Sequence, residues 1–266
     1  RAYLNNDAWI SDEWFAAGLY NLRHHVTDAS VSVDEAGNPV LSFTVVSQAP
    51  NGGKMTGGNG TPKGAYSIDE SESTPFGPDE FHFTTRQTWT VCPDGTISLD
   101  ADITSGNPEL VLPRLGYTLE MPREFSNVKY YGRGPEENYS DRLTGQFMGC
   151  YSSTVDDMMT HYTRPQSNGN REDVRWAGLT DADGRGVLFV APGRMSFSVS
   201  PYTESELFFT DHDYRLPEPE KTVVHLDLGV TGLGGASCGQ GGPLESQRIY
   251  ASPHRFRLLL HPVTRL

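Results

Sequence analysis

Ile97-Ser98-Leu99-Asp100-Ala101-Asp102-Ile103 alternates apolar and polar residues without a break. In an extended chain successive side chains point to opposite faces, so residues 97, 99, 101 and 103 would line one buried face of a strand. The same period recurs at Leu41, Phe43 and Val45, and again at Leu115, Tyr117 and Leu119. Turn-forming clusters punctuate these runs: Glu35-Ala36-Gly37-Asn38, Pro93-Asp94-Gly95 and Asp181-Ala182-Asp183-Gly184. With 28 glycines and 18 prolines in 266 residues, turns are frequent. Many short strands separated by turns predict an all-β fold, an antiparallel sandwich or barrel. One segment departs from this period. Ser11 as a cap, Asp12 and Glu13 in a first turn, then Trp14, Phe15, Gly18, Leu19 and Leu22 at helical spacing predict a short N-terminal helix.

The chain is long enough to bury a core without a disulfide or metal staple, and its strand patterns run through residues 1–266 as one sandwich domain. No apolar run approaches the roughly 20 residues of a membrane-spanning helix, so no membrane partner is expected. Arg1 to Asp7 lack the character of a signal peptide, which leaves cytoplasm and periplasm both open. Asp and Glu number 34 against 21 Lys and Arg, a formal charge of −13, which repels phosphate backbones and argues against nucleic acid. Cys92, Cys150 and Cys238 are far apart and odd in number, which disfavours a disulfide framework or a zinc ribbon. Asn51 to Gly64 and Ser67 to Glu80 read as polar surface loops that extend a hairpin.

Candidate chemistry is sparse. A glycosidase needs two carboxylates facing each other across a sugar. The conspicuous pair here, Glu136-Glu137, is adjacent, and adjacent side chains in extended structure diverge. Asp211-His212-Asp213 and His24-His25 are the densest groups of metal-ligand types. The first reads as a loop triplet and the second as helix neighbours that diverge, so no metal site is expected. No G-x-S-x-G nucleophile elbow occurs. The run Gly232 to Gly239 lacks the third glycine and following helix of a dinucleotide loop. It implies a tight backbone able to approach a ligand or another domain. Tyr162, Arg164, Gln166, Asn168, Asn170, Arg171, Arg175 and Trp176 concentrate the aromatic and planar polar groups that neutral sugars require. A buried polar network fixing a long loop accounts for the same residues and is the preferred reading.

Longer motifs point to a family. Gly132-Arg133-Gly134-Pro135-Glu136-Glu137-Asn138-Tyr139-Ser140-Asp141-Arg142 resembles the G-x-G-P-x-E-N-Y-x-D-R signature in the C-terminal domain of the long bacterial β-galactosidases of the LacZ type, glycoside hydrolase family 2. Leu112-Pro113-Arg114-Leu115-Gly116 resembles the strand that precedes it. Residues 162–176, from Tyr162-Thr163-Arg164-Pro165-Gln166 to Asp173-Val174-Arg175-Trp176, are similar to the Y-x-R-P-Q-x-x-G-N-R-x-D-V-R-W block of that domain. Arg1 to Asp7 resembles R-A-P-x-D-N-D, with Tyr3 and Asn5 departing from it, and Trp14 with Ala17-Gly18 fits W-x-x-A-G.

The resemblance implies a galactose-mutarotase-like antiparallel supersandwich, lacking its first strand, in an enzyme that hydrolyses terminal β-galactosides such as lactose. It implies no catalytic residue here, because the family's two catalytic glutamates lie on a separate barrel domain. It implies no cofactor in this segment, since the family's magnesium and sodium sites lie mainly on other domains. The implied partners are the barrel, on the same polypeptide or on a separate large subunit, the β-galactoside substrate, and further copies in a homo-oligomer. Gly234, Gly235, Ser237 and Cys238 match the family's late glycine loop, which brings a tryptophan to the active-site rim. Cys238 stands at that tryptophan's position and lacks its flat face. Arg133, Glu137, Asn138, Tyr139, Asp141 and Arg142 read mainly as a hydrogen-bonded structural motif, as do Arg164, Gln166, Asn170, Arg171, Asp173, Arg175 and Trp176. Two rival readings are a free-standing carbohydrate-binding or aldose-mutarotase-like module and the small subunit of a two-chain β-galactosidase.

Overall fold

The computed structural model describes residues 7, 9–50, 54–56, 67–69, 81–234 and 241–266. Their strands, in chain order, are β1 (Arg23–Val33), β2 (Pro39–Gln48), β3 (Lys54–Thr56), β4 (Ser67–Asp69), β5 (His82–Val91), β6 (Ile97–Ser105), β7 (Val111–Leu112), β8 (Arg114–Pro122), β9 (Asn127–Gly134), β10 (Phe147–Thr154), β11 (Arg171–Thr180), β12 (Gly186–Ser200), β13 (Lys221–Val230), β14 (Ile249–Tyr250) and β15 (His254–Val263). Three short helices accompany them: α1 (Ser11–Ala16), α2 (Val155–Met158) and α3 (Glu204–Phe209).

The expected all-β architecture is present, with every ladder antiparallel. The main sheet runs β1-β2-β5-β6-β15-β12-β11-β9-β10, with β13 and β8 branching from β12. The branch follows from the 15-residue length of β12. Residues 186–190 pair with β15, whereas residues 196–200 pair with β13, which in turn pairs with β8. One strand therefore passes from the long sheet into a second layer. Tyr117 of β8 stacks 6.0 Å from Phe256 of β15 and stands edge-on to Trp89 of β5 at 6.4 Å, so the β8-β13 layer covers the face of the long sheet. Aligned sheets with interdigitating inner faces make a sandwich.

The predicted alternation holds. Leu99, Ala101 and Ile103 are buried, while Asp100 and Asp102 face outward. Between the layers lie Leu99, Tyr130, Phe189, Phe197, Leu226 and Phe256. The hairpin turns form where acidic and glycine residues cluster. At the β11-β12 turn the Asp181 carboxylate accepts the backbone N–H groups of Asp183 and Arg185, and Gly184 supplies a φ of 84°. The β2-β5 ladder extends from Val40↔Thr90 to Gln48↔His82, and β3 pairs with β4; of the expected surface loops Asn51 to Gly64 and Ser67 to Glu80, only these two strands are described, and the other residues lie outside the described residues.

Two local expectations need correction. Ile10, not Ser11, is the N-cap of α1; Ser11 is the first helical residue and is fully buried, because the helix packs inward through Trp14. The Trp14 indole N–H donates to the Val111 carbonyl at 2.7 Å, fixing α1 over a second apolar cluster with Phe83, Ile103 and Leu112. His24 and His25 lie on β1 rather than on a helix. They still diverge, now because strand neighbours face opposite ways.

Phe197 sits where β12 changes partners and is fully buried. Phe197→Ala is expected to cost about 3–5 kcal/mol and to lower the melting temperature by about 10 °C for a chain of this size. Val31→Thr, at a side chain 77% exposed, should shift stability by less than about 0.5 kcal/mol. Thermal melts followed by circular dichroism check both; equal melting of the two variants would contradict this core.

Candidate functional site

The two long motifs come together in space. Residues 132–142 leave the end of β9 through a cis Gly134–Pro135 bond, and residues 162–171 lead into β11. Glu137 joins them. Its carboxylate accepts the Tyr162 hydroxyl, the Gly169 backbone N–H at 2.9 Å and the Arg142 guanidinium, with the Tyr139 hydroxyl at 3.4 Å. Burial alone would raise the Glu137 carboxyl, but the bonds from Tyr162, Gly169 and Arg142 hold it below its ordinary value of 4.5.

Asn138 completes the junction. It is fully buried, and its side chain donates to the Arg133 and Glu136 carbonyls and accepts the Glu172 N–H at 2.8 Å. Its backbone N–H donates to the Asn170 carbonyl, and the Asn170 amide returns a bond to the Asn138 carbonyl at 2.9 Å. Asp173 occupies a left-handed backbone conformation, φ 56°, within an irregular stretch of β11. That turn presents its carboxylate to Arg133 at 2.6 Å and Arg194 at 3.0 Å. Arg171 is buried against the Tyr130 hydroxyl and the Gly169 carbonyl, and Arg175 donates to the Gly193 carbonyl. Trp176 is half-buried, opposite Tyr131 of β9. Arg164 is exposed.

The signature also grips the late glycine loop. Asp141 Oδ2 accepts the Gly234 N–H at 2.7 Å, and a Cβ at Gly232 would meet the Asp141 carboxylate at 2.7 Å. Ser140 and Gly232 both donate to the Gln247 carbonyl on the far side of the loop. The Arg248 guanidinium stacks over Trp9, 4.7 Å from the ring centroid. Gly234 is thus placed; Gly235, Ser237 and Cys238 lie outside the described residues.

Next to Tyr139 and Leu233 a cleft of about 810 Å³ opens between the layers, with Gln166, Ser167 and α3 along its side. Its floor carries a charged cluster that the reading of the sequence did not single out. Arg114 donates to Asp227 through Nε at 3.1 Å and Nη2 at 2.6 Å, to Glu204 at 2.8 Å and to Ser198 at 3.3 Å. His225 bridges the Thr118 hydroxyl at 3.0 Å and Glu204 at 3.5 Å. Burial, and then the Arg114 charge, push the His225 imidazole down to about 3, so it is neutral near pH 7. Burial raises the Asp227 carboxyl against the pull of Arg114. Burial also acts to raise Glu204, but the Arg114 charge foremost, with the Ser167 bond, leaves it below its ordinary value. The available signal was the polar alternation His225-x-Asp227 inside the apolar run Thr222 to Val230.

The metal-ligand candidates are engaged otherwise. Asp211 pairs with His212 and Arg215, while Asp213 meets His161 at 3.1 Å. Among the described residues no three His, Cys, Asp or Glu side chains converge to hold a metal ion.

An antiparallel sandwich whose polar blocks clamp a glycine loop beside a cleft is the class that fold and site define. Residues 1–260 match the β-galactosidase small chain family, and the chain belongs to that family. It is 33% identical over 165 residues to a β-galactosidase of Priestia megaterium, covering 62% of this chain and 16% of that protein. A β-galactosidase of Staphylococcus xylosus is 30% identical over 239 residues, covering 90% of this chain and 21% of the relative. The chain thus spans about a fifth or less of the length of these relatives. Among solved structures, a galactose mutarotase related enzyme from Lactobacillus acidophilus superposes with a TM-score of 0.35 at 8% identity, over 90% of this chain and 72% of that one.

Glu137→Gln is expected to cost about 2–3 kcal/mol at pH 7 through the loss of charged hydrogen bonds in a nearly enclosed site. The folded carboxyl lies below its ordinary 4.5. Its contribution is therefore complete above that value and is lost as pH falls through the lowered folded value. The gap between wild type and variant should accordingly shrink below pH 4.5. Urea unfolding at neutral and acid pH tests this, and a gap independent of pH would refute the role of the ionised carboxylate.

Proposed function

We propose that this chain is the C-terminal sandwich of a LacZ-type β-galactosidase of glycoside hydrolase family 2, acting on lactose-like β-galactosides. In this reading the catalytic glutamates, and the magnesium and sodium sites, belong to other domains. The barrel that carries the glutamates lies on the same polypeptide or on a separate large chain. The sandwich supports that barrel and presents the loop from Gly232 to Gly239 at the active-site rim.

The observation that carries the proposal is the bond from the Gly234 N–H to Asp141. It ties the signature motif, itself locked by Glu137 and Asn138, to the loop proposed to face substrate. The described start of that loop, Gly232 to Gly234, is thereby held to the motif by a built hydrogen-bond network. The carboxylates support the same division of labour. Glu137 is fully engaged within its motif, and Glu204 and Asp227 are both bound to one guanidinium, which fixes them rather than freeing either as a nucleophile. With Cys238 at the position of the family's tryptophan, stacking on the acceptor sugar is weaker than in relatives that carry the aromatic ring.

The purified chain should not hydrolyse a chromogenic β-galactoside, and turnover should appear when the barrel-bearing portion is added. Asp141→Ala should lower the restored kcat/KM by about tenfold, with a melting temperature close to wild type. Turnover by the chain alone, abolished by substituting one of its own carboxylates, would overturn the proposal. So would an Asp141→Ala variant with unchanged restored activity.

A further inference from the structure

The fork at which β12 changes neighbours leaves a gap in the sheet. Its ladder with β15 ends at Val190↔Leu259, and its ladder with β13 begins at Ser196↔Asp227. On the β11 side pairing also stops at Val190 and resumes at Met195. Ala191 to Arg194 therefore pair with no strand, and Gly193 bends them with a φ of 133°. Residues 254–258 of β15 keep only β6 beside them. The gap measures about 390 Å³, within the range of roughly 300–1,000 Å³ typical of small-molecule sites. Ala191, Pro192, Leu228 and Phe256 line its apolar part, and Arg194, Arg255 and Arg257 line the rest.

Each of these guanidiniums is tethered, and each has donors to spare. Arg255 is held by Asp100 through Nε and Nη2, which leaves Nη1. Arg257 gives Asp100 only its Nε, which leaves both Nη groups. Arg194 gives Asp173 only Nη1, which leaves Nε and Nη2. All three side chains are more than half exposed, so the remaining N–H groups meet water that a ligand can displace. A tethered guanidinium loses less freedom on binding than one that is free to move.

The charges around the gap select among ligands. Arg175 joins the three lining arginines through its bond to the Gly193 carbonyl, and Arg133 joins them through Asp173. The carboxylates are Asp100, Asp102 and Asp173, with Arg86 in register opposite Asp102. Glu172 is turned away, onto Ser196 and Asn170. Positive charge exceeds negative here even with Glu172 included, on a chain whose net charge is −13. A cation is repelled and an anion attracted. A long polyanion would have to cross the acidic remainder of the surface, whereas a single phosphoryl group would not. Planar N–H forks also match its oxygens in pairs. We propose that the β12 fork binds a small phosphate dianion, inorganic phosphate or a phosphate monoester, with its oxygens on Arg194, Arg255 and Arg257. None of the residues that carry the hydrolytic reading takes part, so loss of either leaves the other intact.

Calorimetry and phosphorus NMR titration of the full 266-residue chain with inorganic phosphate and with glycerol 3-phosphate, at fixed ionic strength in chloride, test it. Saturable binding of at least one probe is expected, with a dissociation constant of about 1 mM or tighter. Tighter binding of the ester identifies an organic phosphate as the ligand; equal or weaker binding identifies the free ion. Arg257→Gln and Arg194→Gln should each weaken binding by about tenfold, as loss of one charged hydrogen bond predicts. Arg185→Gln, at the β11-β12 turn, removes the same charge elsewhere and should leave binding unchanged. If one fork variant fails to fold, the other decides alone. Saturable binding of neither probe, wild-type affinity in every folded fork variant, or equal weakening by Arg185→Gln overturns the proposal.

Discussion

A strand can hydrogen-bond to one neighbour on each side, and β12 is long enough to change one of them halfway. Its first half lies beside β15 and its second half beside β13. This single exchange turns an eleven-stranded sheet into two facing layers and puts a core between them. It also places the Arg114 cluster. β13 pairs Ser196 of β12 with Asp227, and on its other side Asp227 faces Gly116 of β8, two residues from Arg114. The approach there is close: a Cβ at Gly116 would lie 2.4 Å from the Asp227 backbone. The glycine of Leu112-Pro113-Arg114-Leu115-Gly116 thus lets the branch strand seat while Arg114 reaches its carboxylate.

Onto this apolar frame the chain adds a buried polar junction. Burying polar groups is unfavourable unless each finds a partner, and the low dielectric that penalises an orphan strengthens a satisfied network. Asn138 meets that condition with backbone partners on three sides. Glu137 meets it with Tyr162, Arg142 and Gly169, all from segments without regular structure. The junction therefore orders a long irregular stretch that the apolar core does not reach, and Asp141 transmits that order to Gly234. Membership of the β-galactosidase small chain family, the clamped loop and the charged cleft are three readings of one architecture, in which rigid sheet supports irregular polar chain.

The period-two runs, the turn clusters and the short helix were legible from the residues because each depends on neighbours in the chain. Alternation specifies a half-buried strand wherever it falls, and Asp with Gly specifies a tight turn. The polar blocks 132–142 and 162–176 stood out as dense runs of planar hydrogen-bonding groups, a composition that suits a buried network and a sugar site alike. Ser11 was misplaced because the cap depends on where the backbone turns into the helix, which packing of Trp14 against Val111 decides.

What only the tertiary structure decided is pairing over distance. Glu204 and Asp227 lie 90 and 113 positions along the chain from Arg114, and no local pattern couples either to it. The switch of β12 is likewise invisible in its residues, because an apolar strand carries no mark of which neighbour it will take. By itself the sequence determined which segments are strands and which residues seek burial. The meeting of the two layers determined that a guanidinium and two carboxylates would share one cleft, because only the folded sheet order brings those strands side by side.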